Sequence, residues 1–278
     1  MPALYAHNRF GEDVLATMPP ALKGFFEKYT EAFHLGLQGP DILFYYKPLT
    51  KNTIKKYGMA LHHETGRGFY LEAAERIFND EKNKTEDGTF FPDTAYAAYI
   101  GGMICHFTLD CSLHGLINEK TTEKTTHGKI ESEFDKYLMR MDGKAIRGVN
   151  NAGHLTDKNG TAEACAEAYD IDLPEIKRCI KTIRRINGWF GAKSEAFHVF
   201  AHAFLTLARM ERKFGDMFLH KKDDPNCAKL NEKLYKRYKT AIPKASAVLE
   251  EYFTNLPLCV KNKQLNALFK NTYAGDNA

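Results

Sequence analysis

The sequence predicts an all-α protein, a single-domain bundle of many helices that spans residues 1–278. Three observations lead to this prediction. Apolar residues recur at helical spacing through most of the chain. Strand-like alternation framed by hairpin turns is missing from the sequence. Polar stretches rich in Gly, Asn and Lys separate the apolar segments, as the connections of a helix bundle do.

Helix signals occur along most of the chain, beginning near the N-terminus. Residues 20–34 start with Pro20, which suits a first-turn position, and carry aromatic residues at helical spacing. Residues 93–118 form a long apolar helix, and Asp93 and Thr94 offer an N-cap for it. The other predicted helices cover residues 66–79, 127–141, 174–187, 191–214, 225–240 and 242–254, and the longest predicted connection is 142–160.

Composition and charge exclude several classes of protein. The chain is 44% hydrophobic and 27% charged, which is typical of a soluble globular protein and not of a disordered one. The net charge of +4 is too small to indicate nucleic-acid or membrane binding by itself. No apolar run reaches the roughly 18 uncharged residues of a membrane span, and no secretion signal is recognised. We therefore expect a cytoplasmic protein whose six cysteines are reduced core thiols.

The strongest chemical signal lies inside the long apolar helix. His106, Asp110 and His114 follow one another at four-residue spacing. At about 100° per residue, each step of four turns the helix face by only about 40°, so the three side chains share one stripe. Ionisable groups on a buried stripe must be paired or metal-bound, because burying them unpaired costs free energy. The stripe alone leaves two interpretations open, a metal site and a set of hydrogen-bonded core residues.

A second pair of ligand-type residues follows on the next predicted helix. His127 and Glu131 lie one turn apart, a spacing at which an imidazole and a carboxylate can chelate one zinc ion. A short turn and an antiparallel helix would bring His114 beside them. The three residues would then form a site with an open coordination position, and the alternative is an exposed pair of polar side chains.

Three shorter motifs upstream contain further residues of ligand type. The Gly-Pro-Asp motif at 39–41 places the Asp41 carboxylate at a tight turn. The His-His-Glu motif at 62–64 is expected to open another helix and contains His62. His7 lies close to the N-terminus. Each of these motifs is a weak signal by itself.

Taken in order, these residues resemble the ligand pattern of the bacterial zinc-dependent phospholipase C family. That family has an all-helical fold with a trinuclear zinc centre, and the fungal single-strand nucleases share its architecture. The resemblance covers roughly residues 3–140 and rests on the order of the ligand types and on their repeated four-residue spacing. The residues that carry it are His7, Gly39-Pro40-Asp41, His62, His106, Asp110, His114, His127 and Glu131.

The resemblance implies a helical bundle of the zinc-dependent phospholipase C type that holds two or three zinc ions. It favours His62 over His63, because His62 matches the family position before a Glu-Thr-Gly stretch. The implied ligands are Asp41, His62, His106 and Asp110 for one site; His114, His127 and Glu131 for a second; and His7, a bridging Asp110 and the N-terminal amine for a third.

Clustered zinc ions suit the hydrolysis of phosphate esters. They lower the pKa of bound water toward about 7, hold the phosphoryl oxygens and stabilise the leaving oxygen. The predicted function is therefore that of a zinc-dependent phosphodiester hydrolase similar to phospholipase C, with attack by metal-bound hydroxide. Asp41 is the candidate catalytic residue, because a carboxylate beside that water can act as general base as well as ligand.

The sequence departs from the family in three ways that bear on the substrate. The single tryptophan is Trp189, whereas the secreted enzymes have a mature N-terminal tryptophan as a ligand. Ile42 replaces the aromatic residue that usually follows the turn aspartate, and no C-terminal lipid-binding β-sandwich is expected. We therefore expect hydrolysis of small soluble phosphodiesters or of monomeric short-chain phospholipids, with weak activity on choline bilayers and at most peripheral membrane contact.

The sequence is also compatible with two alternative functions. One keeps the fold and acts on nucleic acid or nucleotides, although no stable nucleic-acid complex is expected without a basic, aromatic groove. The other is a non-catalytic metal-binding helical protein. His198 and His202 are predicted to be hydrogen-bonded core residues. Lys181, Arg184 and Arg185 form a basic cluster, typical of a solvated helix face or of contact with phosphate or acidic lipid.

Overall fold

The computed structural model describes residues 4–85, 90–123, 125–207 and 215–275. Within these ranges the chain folds into twelve α-helices, joined by loops and short 3-10 helices, and no β-strand is present. The prediction of an all-α fold is confirmed. The helices are α1 (Leu4–Leu15), α2 (Pro20–Lys28), α3 (Thr30–Gly36), α4 (Thr53–His63), α5 (Gly66–Asn79), α6 (Ala95–Lys120), α7 (His127–Met141), α8 (Thr161–Tyr169), α9 (Leu173–Phe190), α10 (Glu195–Leu207), α11 (Ala228–Thr254) and α12 (Leu256–Asn262).

The bundle is built around α6, which has 26 residues and is buried along most of its length. Gly36 and Gly102 allow α3 and α6 to touch at backbone level, because a Cβ atom on Gly102 would lie 2.1 Å from the carbonyl oxygen of Phe33. Among the described residues α6 is the one helix that is long and apolar enough, by length and composition, to cross a membrane. Because 78% of its apolar window is buried inside the structure, it serves here as the core helix of the bundle.

Several helices have the predicted bounds or nearly so. Those predicted over 66–79 and 127–141 are confirmed as α5 and α7. The helix predicted over 93–118 begins at Ala95, because the hydroxyl of Thr94 accepts a hydrogen bond from a first-turn amide at 3.2 Å. Of the two candidate N-cap residues, Asp93 and Thr94, the structure therefore uses Thr94.

The segments around α9 and α10 follow the prediction with shifted ends. The helix predicted over 174–187 lies within α9. The helix predicted over 191–214 corresponds to α10, which begins at Glu195, and its final residues, 208–214, lie outside the described residues. The long connection predicted over 142–160 contains no helix.

The prediction of one helix over 20–34 is wrong. The segment divides into α2 and α3 at Tyr29, whose backbone angles (φ −114°, ψ 36°) leave the helical region. The hydroxyl of Tyr29 donates to the carbonyl oxygen of Asp93 at 2.7 Å, which ties the bend to the residues just before α6. A contact between segments so far apart in the chain decides this break, so helical spacing alone did not indicate it.

The His-His-Glu motif at 62–64 ends a helix, whereas the sequence analysis expected it to open one. The helix α4 begins after Asn52, whose side chain accepts a hydrogen bond from the backbone amide of Lys55 at 2.9 Å. It ends at His63, and the next residue has an extended backbone. His62 therefore lies on the last turn of α4.

The C-terminal helices predicted over 225–240 and 242–254 are one continuous helix, α11. Pro243 lies exposed inside it, where a proline removes a backbone hydrogen bond and clashes with the preceding turn. Buried aromatic and aliphatic side chains on both sides of the proline, such as Tyr238 and Leu249, pack in the core and hold the two halves on one axis.

We expect the Pro243→Ala variant to be more stable than the wild type by about 1–3 kcal/mol, because alanine restores the missing amide at an exposed position. Denaturant unfolding followed by circular dichroism measures the change. The control is Lys236→Ala, another exposed position of α11, which should change stability by less than about 0.5 kcal/mol. A lower unfolding midpoint for Pro243→Ala would contradict the expectation.

Most buried apolar side chains form one contiguous core that reaches from Leu4 in α1 to Tyr273 beyond α12. The helices α1, α3, α8 and α11 pack around α6 within this core. All six cysteines are free, as predicted, and all except the half-buried Cys111 are buried. Buried polar and charged side chains of α6 and α7 interrupt this apolar interior, and the candidate site lies beside the polar stripe of α6.

Candidate metal centre

Ligand-type side chains from five elements converge beside α6. They come from α1, from the 3-10 helix Gly39–Tyr45, from the last turn of α4, from α6 and from α7. Within each of three groups, the ligand atoms lie within 4.8 Å of one another. The groups contain all eight residues named from the sequence: His7, His106 and Asp110; Asp41, His62 and His106; and His114, His127 and Glu131.

The predicted stripe of α6 is present, and Asp110 lies at its centre. One oxygen of the Asp110 carboxylate is 3.1 Å from Nε2 of His106. The other is 3.2 Å from Nε2 of His7 and 3.5 Å from Nε2 of His114. This carboxylate is almost completely buried, so it depends on the positive charge or polar hydrogens that these partners supply.

The second group forms where α7 turns back beside α6. The hydroxyl of Thr126 caps α7 and accepts a hydrogen bond from a backbone amide at 3.2 Å, so that the helix begins at His127. One oxygen of Glu131 is then 3.3 Å from Nε2 of His114 and 3.2 Å from Nε2 of His127. The predicted approach of α7 to His114 is confirmed.

The Gly-Pro-Asp turn brings Asp41 beside the last turn of α4, where its carboxylate is 3.0 Å from Nε2 of His62. Gly39 begins the turn with φ +50°, a left-handed conformation that favours glycine. A Cβ atom on Gly39 would lie 2.3 Å from Cδ2 of His106. Glycine is therefore required here by the backbone and by the close approach of the imidazole.

Four of the five histidines in the groups are oriented by the same kind of hydrogen bond. In each, Nδ1 hydrogen-bonds to a carbonyl oxygen, which can only accept, so Nδ1 carries the proton. The opposite nitrogen, Nε2, faces a carboxylate. The Nδ1 partners are Gly58 O for His62 (2.6 Å), Leu37 O for His106 (3.0 Å), Tyr273 O for His114 (3.1 Å) and Asn118 Oδ1 for His127 (3.0 Å).

The carboxylates and histidines of the centre shift one another's pKa values. Burial raises the pKa of Asp110, but the surrounding histidines outweigh burial and hold that pKa well below its usual range. Burial likewise raises the pKa of Glu131, and its two histidine partners help to depress it strongly. Burial lowers the pKa of His114, but Asp110 and Glu131 overcome this effect and raise the pKa to about 9. The buried carboxylates of Asp110 and Glu131 are thus stabilised by nearby positive charge, which a protonated histidine or a divalent cation can supply.

The donor set fits zinc, which binds imidazole nitrogens and carboxylate oxygens in groups of three with an open position. Two buried nitrogens support this fit. Nδ1 of His7 and Nε2 of His106 have no hydrogen-bond partner among the described residues. The Nε2 atom of His106 is within 3.1 Å of Asp110 but without hydrogen-bond geometry, as expected if both groups bind a cation between them.

A cavity of about 650 Å³ opens onto the centre. Its floor carries the polar groups of Asp41, His62, His114 and Glu131. The remaining wall is largely apolar and contains side chains from elements that lie far apart in the chain. These apolar lining residues are Phe44, Tyr45, Pro48, Met59, Ile186, Phe190, Met217 and Tyr273.

The family model for zinc-dependent phospholipase C matches residues 6–183. The chain belongs to the zinc-dependent phospholipase C family. The matched region contains all eight ligand-type residues and extends beyond the range of roughly 3–140 over which the motifs resemble the family. No curated protein and no solved structure matches this member of the family.

The other histidines that the sequence raised as candidates lie outside the three groups. His63 is exposed, whereas its neighbour His62 belongs to one group, as expected. His198 is buried and hydrogen-bonds through Nε2 to the carbonyl oxygen of Ala192 at 2.8 Å, which confirms a core role. His202 stacks on His220 with ring centroids 5.1 Å apart.

The residues that orient the ligands of this phospholipase C family member were not predicted from the sequence. Asn118 lies one helical turn beyond His114 and holds His127, so its place on α6 was a usable signal. The carbonyl oxygens of Leu37 and Tyr273 carry no signal in the sequence, because any residue presents the same backbone group. Tyr273 also lines the cavity, although it lies beyond the family match.

Proposed function

We propose that this chain hydrolyses phosphodiesters at a zinc centre formed by the eight ligand-type residues. The single observation that carries the proposal is the orientation of the histidines: their Nδ1 atoms are held by carbonyl oxygens while their Nε2 atoms converge on buried carboxylates. A hydrogen-bonded core needs no such convergence, whereas a multinuclear metal site does. Bound zinc ions would supply a nucleophile at neutral pH and stabilise the charge on the phosphoryl group.

The residues of the chain have distinct roles in this proposal. Asp41 lies on the cavity floor, where it is positioned by His62 and can accept a proton from the attacking water or bind metal. Asp110 contacts a histidine of every one of the three groups, because it lies beside His7, His106 and His114. The apolar wall of the cavity suits a diester with an apolar substituent, such as the diacylglycerol part of a phospholipid monomer.

The test is turnover by zinc-loaded protein of bis-(p-nitrophenyl) phosphate and of short-chain phosphatidylcholine kept below its micelle concentration. We expect hydrolysis of both, and a loss of about 10²–10⁴-fold in kcat for Asp41→Asn. The control is Asp172→Asn, an exposed aspartate whose side chain makes no cap hydrogen bond, and it should leave kcat unchanged.

The zinc content of Asp41→Asn distinguishes the two roles of this carboxylate. Full zinc content with low kcat indicates a general base, and reduced zinc content indicates a ligand. Zinc-loaded wild-type protein without turnover of either diester would contradict the proposed function, as would an Asp41→Asn variant that is as active as the wild type.

A further inference from the structure

The helix α10 presents an apolar face to solvent. Phe200 is 70% exposed and Leu207 is 86% exposed, and the other members of the face are exposed as well. The spacing of i, i+3, i+4, i+7, i+8 and i+11 places them on one stripe of a helix about 20 Å long. The stripe contains no polar residue: its members are Ala196, Val199, Phe200, Ala203, Phe204 and Leu207.

The inner side of α10 carries the more polar residues, the reverse of an ordinary surface helix. His198 is buried and its ring lies 5.3 Å from that of Phe218. His202 is 5.0 Å from the same phenylalanine ring. The guanidinium of Arg147 forms an ion pair with Glu195 at the start of the helix at 2.6 Å. Because these contacts fix which side faces inward, the apolar stripe is held outward by the fold.

A basic row on α9 leads to the same region. Arg178, Lys181 and Arg185 are exposed at helical spacing, and the row ends at Trp189, which is 46% exposed. The guanidinium of Arg185 lies over the indole ring of Trp189, 5.1 Å from its centroid. Basic residues beside an exposed tryptophan are typical of segments that lie at a membrane surface.

The helix α9 contributes to the wall of the substrate cavity, and α10 packs beside that wall. Ile186 and Phe190 of α9 line the cavity, and so does Met217 in the segment just after the undescribed residues 208–214. The ring of Phe190 is 4.9 Å from that of Phe218, which in turn supports α10. The helix that carries the apolar stripe therefore packs, through its inner side and two aromatic contacts, on Phe190 of the cavity wall.

We propose that α10 and the part of α9 from Arg178 to Trp189 dock this protein on the surface of an anionic phospholipid bilayer. The apolar stripe of α10 lies at the boundary of headgroups and acyl chains, and the basic row of α9 contacts the anionic headgroups. The choice of a lipid partner rests on the proposed function, because docking here brings the cavity to its substrate. The apolar stripe of α10, Arg185 and Trp189 lie beyond the family match at residues 6–183, whereas Arg178 and Lys181 lie within it.

The charges favour a membrane over a second copy of the chain. A symmetric dimer through α10 would bring the same patch of both copies together. The rows formed by Arg178, Lys181 and Arg185 would then approach their counterparts, which costs free energy between like charges. An anionic bilayer instead neutralises these rows, and its binding weakens with salt.

The experiment is sedimentation of the intact, zinc-loaded protein with vesicles. One set contains phosphatidylcholine alone, and in the other about a third of the lipid is phosphatidylglycerol. We expect binding to the anionic vesicles, weakened by salt. The double variant Phe200→Ser/Phe204→Ser should weaken it about ten-fold or more. Lys181→Gln and Arg185→Gln should each weaken it about five-fold.

Matched variants elsewhere on the surface complete the design. Leu258→Ser on α12 and Lys233→Gln and Arg237→Gln on α11 alter exposed apolar and basic residues, and they should bind vesicles as the wild type does. All variants should hydrolyse bis-(p-nitrophenyl) phosphate at the wild-type rate if the proposed function holds. Binding is measured without turnover, so a protein that docks but is inactive refutes the proposed function and not the docking.

Two results would overturn the docking proposal. One is equal sedimentation of the wild type and the Phe200→Ser/Phe204→Ser variant with anionic vesicles. The other is self-association of the wild type in analytical ultracentrifugation, abolished by the same double variant, without binding to either vesicle. The latter would assign the apolar stripe of α10 to a contact between copies.

Discussion

An Asp110→Asn variant is expected to lose most of its zinc and nearly all of its hydrolytic activity. The Asp110 carboxylate lies within 3.1–3.5 Å of Nε2 of three histidines and is almost completely buried. Asparagine keeps the shape but removes the negative charge that all three positions share. Replacing a residue that only hydrogen-bonds to a metal ligand lowers metal affinity by about 10–100-fold. Replacing the Asp110 carboxylate, a proposed ligand itself, should therefore lower zinc affinity by more than about 100-fold.

Zinc per protein after dialysis measures the loss directly, and thermal unfolding measures its link to the fold. The proposed ligands come from five separate elements, so ions that bind only the folded state stabilise the bundle. A chelator should lower the melting temperature of the wild type and should have little effect on Asp110→Asn.

The control is Glu12→Gln, which changes a carboxylate that also pairs with a histidine, His34, at 2.5 Å but outside the three groups. This variant should keep wild-type zinc content and the wild-type response to the chelator. A wild type that melts at the same temperature with and without chelator would contradict the expectation. So would an Asp110→Asn protein that retains full zinc.

A Gly39→Ala variant is expected to be destabilised by about 2–5 kcal/mol and to lose zinc, although alanine carries no polar group. Two effects act together. The backbone of Gly39 has φ +50°, which strains any residue with a Cβ atom. The new methyl group would also lie 2.3 Å from the ring of His106, which belongs to two of the three groups and has to move.

Two glycine controls separate the strain from the collision. Gly143 has φ +64°, and a methyl group there would meet nothing within 4 Å, so Gly143→Ala should show the strain alone and keep its zinc. Gly68 lies in α5 with open space around it, and Gly68→Ala should be neutral or stabilising by up to about 1 kcal/mol. Denaturant unfolding and zinc analysis of the three variants decide the matter. Gly39→Ala with wild-type stability and zinc content would show that His106 is not held in place by this turn.

Local geometry explains why much of the centre could be predicted from the sequence. His106, Asp110 and His114 share a stripe because a helix returns to nearly the same face every four residues, whatever surrounds it. The pair His127 and Glu131 follows from the same rule. The helical class followed for the same reason, since apolar spacing along each segment is a property of that segment.

Contacts between distant segments required the tertiary structure. The approach of Asp41 to His62 depends on the turn at Gly39, which has φ +50°, and on the position of His62 at the end of α4. The sequence had instead predicted that residues 62–64 open a helix. The break at Tyr29 depends on the carbonyl oxygen of Asp93, and the unbroken course of α11 past Pro243 depends on core packing. In each of these places, contacts with a distant part of the bundle outweigh the conformation that the local sequence favours.

The helical class, the ligand types and their spacing within each helix could be predicted from the amino-acid sequence, because these properties depend on short stretches of chain. Packing between distant segments decided that His106 belongs to two groups and that the carbonyl oxygens of Leu37 and Tyr273 orient His106 and His114. It also decided that the apolar stripe of α10 faces outward. The physical reason is that backbone carbonyls are the same in every residue and that exposure depends on which surfaces pack together, so neither can be recognised from the spacing of side chains.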